Sequence, residues 1–249
     1  MSRLLRGAIV PLLLLGAWEI ASRAGLAFDT LSRPSEILAA LLSGLSDGSI
    51  LIATAQTFNA ALLGLAIAAV IGILVGTVLG LSPRLEGITG PSIEALRPIP
   101  AVAFMPLALM MFGFGIGLEA SIVSYACVWP ILIVTVSAVR EIEPRLLDVA
   151  DVMEMTFAEK LRKIILPAAF ARINVGLRVG AGIALVVAVT TEVVLNPRGL
   201  GYSLILAQQS LDVALMYAQL LWLCVVGYLL NAALRALGGG SALAWRPAG

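Results

Sequence analysis

Residues 48–83 carry no charged side chain. Hydrocarbon cannot hydrate a charge, so a long uncharged apolar run is where a bilayer acts as the solvent. About 18 apolar residues are enough for a helix to cross the bilayer core. Four more uncharged apolar stretches precede or follow this one. Hydrophobic residues make up 60% of the chain and charged residues 12%, and the mean hydropathy is +1.03. The sequence predicts an all-α, polytopic membrane bundle, a single transmembrane domain over residues 1–249. A β-barrel is disfavoured, because barrel strands alternate apolar and polar residues and these runs are apolar all round.

Composition also removes whole classes of chemistry. The chain has no histidine. That excludes the commonest general base, the Ser-His and Cys-His nucleophile pairs, and histidine metal ligands. Cys127 and Cys224 lie in separate apolar runs with no metal spacing, as small packing residues do. No Gly-Lys dipeptide occurs, so there is no phosphate-cradling P-loop. A net charge of +1 with scattered basic residues gives no surface for nucleic acid. Any ATP that drives this protein must bind elsewhere.

Six spans are expected, at about 6–24, 56–81, 91–112, 119–139, 173–195 and 213–235. The N-terminal stretch resembles a signal peptide but lacks a clean small-residue cleavage site, so it is taken as a retained first span. Short loops rich in Lys and Arg stay cytoplasmic. Arg3 and Arg6 precede the first span, Arg84 follows the second, and Arg235 and Arg246 follow the sixth. Arg140, Arg145, Lys160, Arg162, Lys163 and Arg172 fall between the fourth and fifth, against Arg23, Arg33 and Arg198 on the other side. Both termini are therefore expected in the cytoplasm. Pro34 to Leu45 is expected as a short amphipathic helix at the membrane surface, and 199–212 as an external loop.

Gly72, Gly76 and Gly80 recur every four residues in the second span, and Gly176 and Gly180 do so in the fifth. Such rows bare the backbone so that a neighbouring helix can approach closely, for packing or for sliding. The third span opens with Arg97-Pro98-Ile99-Pro100 and contains Pro106. Proline removes a backbone donor and clashes with the preceding turn, so this span should be kinked or broken. Broken backbone at membrane depth lines a cavity or is buried in protein. Arg97, Pro98, Pro100, Arg178 and Glu192 are accordingly the candidates for a translocation path. Each has a plain alternative: a structural kink for Pro98 and Pro100, Arg97 pairing with Glu94, Arg178 snorkelling to the interface, Glu192 in a structural pair.

The stretch from Arg140 to Arg172 is the longest polar segment. Pro144 suits a first helical turn, and Leu146, Leu147, Ala150 and Met153 then share a side. Thr156-Phe157-Ala158-Glu159 is a capping box that starts a second helix. Glu159 and Lys163 stand four apart in the favourable order, and Pro167 ends or kinks the segment. The reading is helix, tight turn near Glu154 and Met155, helix. Leu147, Met153, Met155 and Phe157 cluster too densely for a plain solvated loop, and exposed apolar clusters mark partner sites.

Asp148-Val149-Ala150, then Glu154, then Ile164-Ile165-Leu166-Pro167 resembles the EAA loop of bacterial ABC importer permeases. That pattern runs Glu-Ala-Ala, three residues, Gly, nine residues, Ile-x-Leu-Pro. Pro34-Ser35-Glu36-Ile37, Arg97-Pro98-Ile99-Pro100, Phe112 to Gly117 and Gly199-Leu200-Gly201-Tyr202 resemble the nitrate, sulfonate and taurine branch. The resemblance spans about residues 30–235. It implies a type I ABC importer permease fold in the bacterial inner membrane and a homodimer or heterodimer of permeases. It also implies an extracytoplasmic solute-binding protein and an ATPase subunit that alone binds ATP and Mg. Leu147, Asp148, Val149, Ala150, Met153, Glu154, Met155, Thr156, Phe157, Leu166 and Pro167 would then form the coupling segment that docks on that ATPase. Two departures stand out. Asp148-Val149 replaces Glu-Ala, and Glu154 replaces the turn glycine, at a cost of about 1–2 kcal/mol if the position needs φ > 0.

Two other classes compete. An ion-coupled secondary transporter places charged relays in mid-span and often shows internal repeats; neither is evident. An intramembrane enzyme needs a nucleophile–base or carboxylate pair in mid-membrane, and none is visible.

Overall fold

The computed structural model describes residues 3–24 and 31–242; Arg246 lies outside them. Eleven α-helices occur among the described residues: α1 (Arg3–Arg23), α2 (Pro34–Ser46), α3 (Ser49–Leu81), α4 (Pro83–Leu96), α5 (Met105–Phe112), α6 (Ile116–Arg140), α7 (Pro144–Val152), α8 (Phe157–Lys160), α9 (Leu166–Val194), α10 (Gly199–Gln209) and α11 (Val213–Ala242). No strand occurs among them. The expected amphipathic helix after Pro34 is α2.

Of six expected spans, four have a helix long and apolar enough to cross a membrane: α3, α6, the run Phe157–Gln209 that contains α9, and α11. A fifth arises if α4 and the Ala101–Phe112 segment count as one bent span. The helix α1, which carries Arg3, Arg6, Glu19 and Arg23, is not among them. The expected third span is indeed broken. The two pieces bend by 85° across Arg97–Pro100, where closely spaced prolines withdraw backbone donors, and Ala101–Phe104 forms a 3-10 turn. The loop expected at 199–212 is corrected: most of it is the helix α10. Its apolar residues are too few for a span but ample for a helix packed on other helices.

The core is a parallel pair, α3 and α6, with α9 antiparallel against both. Gly64, Gly72, Gly76 and Gly80 on α3 face Val123, Ile131, Thr135 and Val139 on α6 in constant register. The two backbones approach so closely because the facing row of α3 has no Cβ. Around that row Ala61, Ala68, Val123, Cys127, Ile131, Ala184 and Ala188 form a buried cluster. The α9 contact uses the second expected glycine row. A Cβ on Gly176 would lie 3.1 Å from Val134, and the Cys127 thiol donates to the Gly180 carbonyl at 3.2 Å.

One end of this bundle carries α7 and α8. At the opposite end, called distal here, Ile37, Leu41, Ile50, Ala53, Leu200 and Ala218 bring α2, α3, α10 and α11 into one cluster. By contrast α4 has no buried residue. It is held to α6 by the Glu86–Arg140 ion pair and by Tyr125, whose hydroxyl donates to the Leu96 carbonyl at 2.8 Å.

Candidate functional site: the α7–α8 segment, the clefts and the distal clamp

The segment between α6 and α9 is anchored on the bundle by packing and ion pairs. Its base is a buried cluster of Ala138, Val139, Ile142, Ile165, Ala169 and Ile173, with Leu147 and Leu161 packed on it. Ala150 is fully buried. Glu141 pairs with Arg172 across the root. That guanidinium holds the Glu141 carboxyl below its usual range, and the Ser137 hydroxyl donates to it as well. Lys160 of α8 pairs with Asp151 of α7.

The turn joining the two helices is a Schellman cap. Met155 N–H donates to the Ala150 carbonyl at 3.0 Å and Glu154 N–H to Asp151 at 3.0 Å. This pattern places residue 154 in the left-handed region, and Glu154 has φ +51°. The turn is thus the one a glycine would make, closed here by a residue with a Cβ. Glu154→Gly should steady the turn by about 1 kcal/mol. Slower amide exchange in residues 150–156 is the measurement; unchanged exchange would show the strain to be relieved elsewhere.

The expected capping box is formed. Thr156 Oγ1 accepts from Glu159 N–H at 3.4 Å, and Glu159 Oε2 accepts from Thr156 N–H at 3.1 Å. Removing the cap with Thr156→Ala should cost about 0.5–2 kcal/mol, seen as faster exchange confined to residues 156–160. Beyond α8, Leu161–Ile165 is a π-helical turn in which Leu166 N–H donates to the Leu161 carbonyl. Pro167 explains it: with no N–H of its own and a ring that crowds the turn before it, the chain widens there.

Exposure divides the sequence-predicted residues. Met153 (63% exposed), Phe157 (65%) and Val149 point outward, while Leu147 packs on the root and Met155 is half-buried. Asp148 is exposed; Leu166 and Pro167 begin α9. Leu146 and Val152 (85% exposed) complete the outward edge. Val152 follows Val149 by three residues on an amphipathic helix, and that spacing was the signal available for it.

The translocation-path candidates separate. Arg97 stands at the break after α4 and lines two clefts. One also contains Glu86, Glu94 and Arg140; the other contains Trp129, Pro130, Val179 and Ile183. Pro98 and Pro100 form the break itself. Arg178 lies on the other flank of α9, in a cleft of about 440 Å³ between α9 and α11.

Glu192 is 1% exposed and serves the distal end. Its Oε2 accepts from Gly201 N–H at 2.8 Å. Gln56 Oε1 accepts from Gly199 N–H at 3.0 Å, and Thr57 Oγ1 from Leu200 N–H at 3.0 Å. The first three amides of α10 are thus each capped by a side chain of α3 or α9, satisfying donors that a helix start leaves free. Asn196 extends the clamp to α6, accepting from Gly115 N–H at 2.8 Å and donating to Glu119. Gly199 has φ +84°, and a Cβ there would run into the Glu192 carboxylate. Gln56, Thr57 and Asn196 carried no signal in the sequence, because their partners are backbone amides more than a hundred residues away for Gln56 and Thr57.

Comparison with known proteins accords with this geometry. The family described as a binding-protein-dependent transport system inner membrane component matches residues 68–239. The putative aliphatic sulfonates transport permease protein SsuC of Bacillus subtilis is 28% identical over 94% of this chain and 85% of its own. The taurine transport system permease protein TauC of Escherichia coli is 29% identical over 88% and 82%. The bicarbonate transport system permease protein CmpB of Synechococcus elongatus is 34% identical over 68% and 61%. The fold is that of the inward-facing MetNI methionine ABC transporter (TM-score 0.65, 18% identity, 75% of this chain and 93% of that one). An amino acid ABC transporter solved with histidines shares it (TM-score 0.61, 16% identity, 80% and 95%). With a helical bundle of the type I importer kind and a family match over most of its length, the chain belongs to the binding-protein-dependent transport system inner membrane components.

Proposed function

We propose that this chain is the membrane-spanning half of an ATP-driven importer for a small solute that carries an anionic group, in the class of sulfonates, taurine, nitrate or bicarbonate named for its relatives. ATP and Mg bind a separate ATPase subunit. A second permease, identical or homologous, completes the pathway, and an extracytoplasmic binding protein delivers the solute. The Lys and Arg distribution supports a cytoplasmic α7–α8 end and cytoplasmic termini.

One observation carries the reading: the outward edge of Val149, Val152, Met153 and Phe157 stands on a root that is buried, ion-paired and continuous with α6 and α9. An apolar edge of this kind fits a groove on a partner. Its stiffness lets displacement there move two spans together. ATP binding then favours one state of the bundle by the difference in binding energy between the states. An ion-coupled carrier has no use for such an edge.

The test places a cysteine at Met153 in a Cys224→Ser background and assembles the permease with its ATPase in lipid. Crosslinking to the ATPase, with a yield that changes on adding ATP, is expected. Absence of any crosslink, together with free proteolysis of 144–160 in the assembled complex, overturns the reading. Uptake without ATP would favour the ion-coupled alternative.

A further inference from the structure

Arg178 lies twelve residues into α9 (Leu166–Val194) and about 8 Å past the expected start of the fifth span at 173, at 1.5 Å per residue. A charge inside a span is costly and, where it does not reach the interface, faces a cavity or a partner. Among the described residues Arg178 has neither a carboxylate within ion-pair distance nor a hydrogen bond, and no acidic residue lines either cleft it borders. The clefts add only amide side chains, Asn231 on α11 and Asn174 on α9, to otherwise apolar walls.

A second observation concerns space. Gly182 and Gly227 both line the α9–α11 cleft. A Cβ built on Gly182 meets nothing within 4 Å, and one on Gly227 meets only the tip of Leu185, at 4.0 Å. These glycines are not packing a helix against a helix, as Gly76 does. They leave a gap. Because α9 runs toward the distal end and α11 away from it, the Leu185–Gly227 contact sets Gly182 and Gly227 at one level. Arg178 and Asn231 are four residues away on each helix, one turn nearer the α7–α8 end. A cationic fork with an amide beside it thus stands next to an apolar gap.

We propose that the transported solute is a short-chain sulfonate or carboxylate, that Arg178 and Asn231 hold its charged head in the α9–α11 cleft, and that the gap at Gly182 and Gly227 takes its carbon chain. This deepens the importer reading and rests on it. A planar guanidinium matches a sulfonate or carboxylate with two parallel hydrogen bonds, and the asparagine amide adds a neutral donor. A cleft of about 440 Å³ is in the range of small-molecule sites. The bare glycines make the cleft selective by length. The head alone binds whatever the tail, but a tail needs the gap.

The experiment uses the permease–ATPase complex in nanodiscs of neutral phosphatidylcholine, with 2,2,2-trifluoroethanesulfonate as the probe and fluorine line broadening as the readout. Arg178→Gln should weaken binding about 10–100-fold, the loss of a charge-assisted hydrogen bond, with Arg178→Lys in between as a check that charge rather than fold was lost. Gly182→Val should weaken the fluorinated probe at least about tenfold while leaving competition by methanesulfonate within about threefold. Equal binding by wild type and Arg178→Gln overturns the site. So does phosphatidylglycerol that copurifies with wild type and is lost in Arg178→Gln while the sulfonate fails to bind, because the cleft is then a lipid headgroup site. The Met153 crosslink separates the two levels: its presence without sulfonate binding sinks this site and leaves the importer standing. Its absence with Arg178-dependent binding does the reverse.

Discussion

Leucine at Gly76 leaves no folded permease. A Cβ at this position stands 2.7 Å from the Thr135 Cβ and 2.9 Å from the Leu132 carbonyl oxygen. Neither can yield. Leu132 presents backbone, and Thr135 is fully buried with its hydroxyl bonded to the Ile131 carbonyl at 2.7 Å. Alanine alone forces α3 and α6 apart and should cost about 1–3 kcal/mol. The gain in helix propensity, up to about 1 kcal/mol, offsets only part of that. Leucine adds three more carbons with nowhere to go. The register along the pair multiplies the effect, because Gly72 and Gly80 meet Ile131 and Val139 as closely, so separation at one level opens the others. Gly87→Ala is the control. It lies on α4, and its added Cβ meets nothing within 4 Å; it should be neutral or stabilising by about 0.5–1 kcal/mol. Thermal denaturation in detergent should rank Gly87→Ala at or above wild type, then Gly76→Ala, with Gly76→Leu recovered only as aggregate. A Gly76→Leu protein as heat-resistant as Gly87→Ala would mean that α3 and α6 are not packed in this register.

The contrast between Gly76 and Gly182 marks where the sequence stops being informative. Both are glycines in apolar helices, and Gly72, Gly76 and Gly80 advertise a contact face by their spacing. Gly182 has no such partner in sequence, so only the positions of α9 and α11 reveal that it borders a gap. Local chemistry was legible in the same way. Thr156 with Glu159 announced a helix start, Pro98 and Pro100 announced a break, and both follow from bonds within a few residues. Glu192 was legible only as an anomaly, a carboxylate in an apolar run. Its role as a cap depends on α10 folding back over the distal end, and α10 itself reads as a loop in the sequence because its 11 residues, about three turns, are too short to register as a span. Leu147 and Met155 were grouped with Phe157 by composition. The structure turns Leu147 onto the cluster of Ile142 and Ile165 and half-buries Met155 in the turn, because a helix side is set by angle and not by proximity in sequence.

Aspartate at both Val152 and Phe157 should yield a permease that folds and does not hold its ATPase. The two side chains are 85% and 65% exposed, so the change removes almost no contact within the chain, and surface substitutions of this kind stay within about 0.5 kcal/mol of neutral for folding. At a docked interface the outcome differs. An aromatic anchor at the centre of an interface contributes about 2 kcal/mol or more. A carboxylate carried into an apolar groove without a partner adds a desolvation cost of several kcal/mol. Together these exceed about 2.8 kcal/mol, a hundredfold in affinity. The measurement is the fraction of ATPase that copurifies with the permease from membranes, beside a denaturation curve that overlays wild type. Thr156→Ala serves as the comparison, since it loosens the start of α8 but leaves the apolar edge intact and should weaken copurification far less. An aspartate variant that retains its ATPase at the wild-type level would remove the apolar edge from the interface. The ion-paired flank of Asp151 and Lys160 would then be the next surface of the protrusion that such a partner could grip.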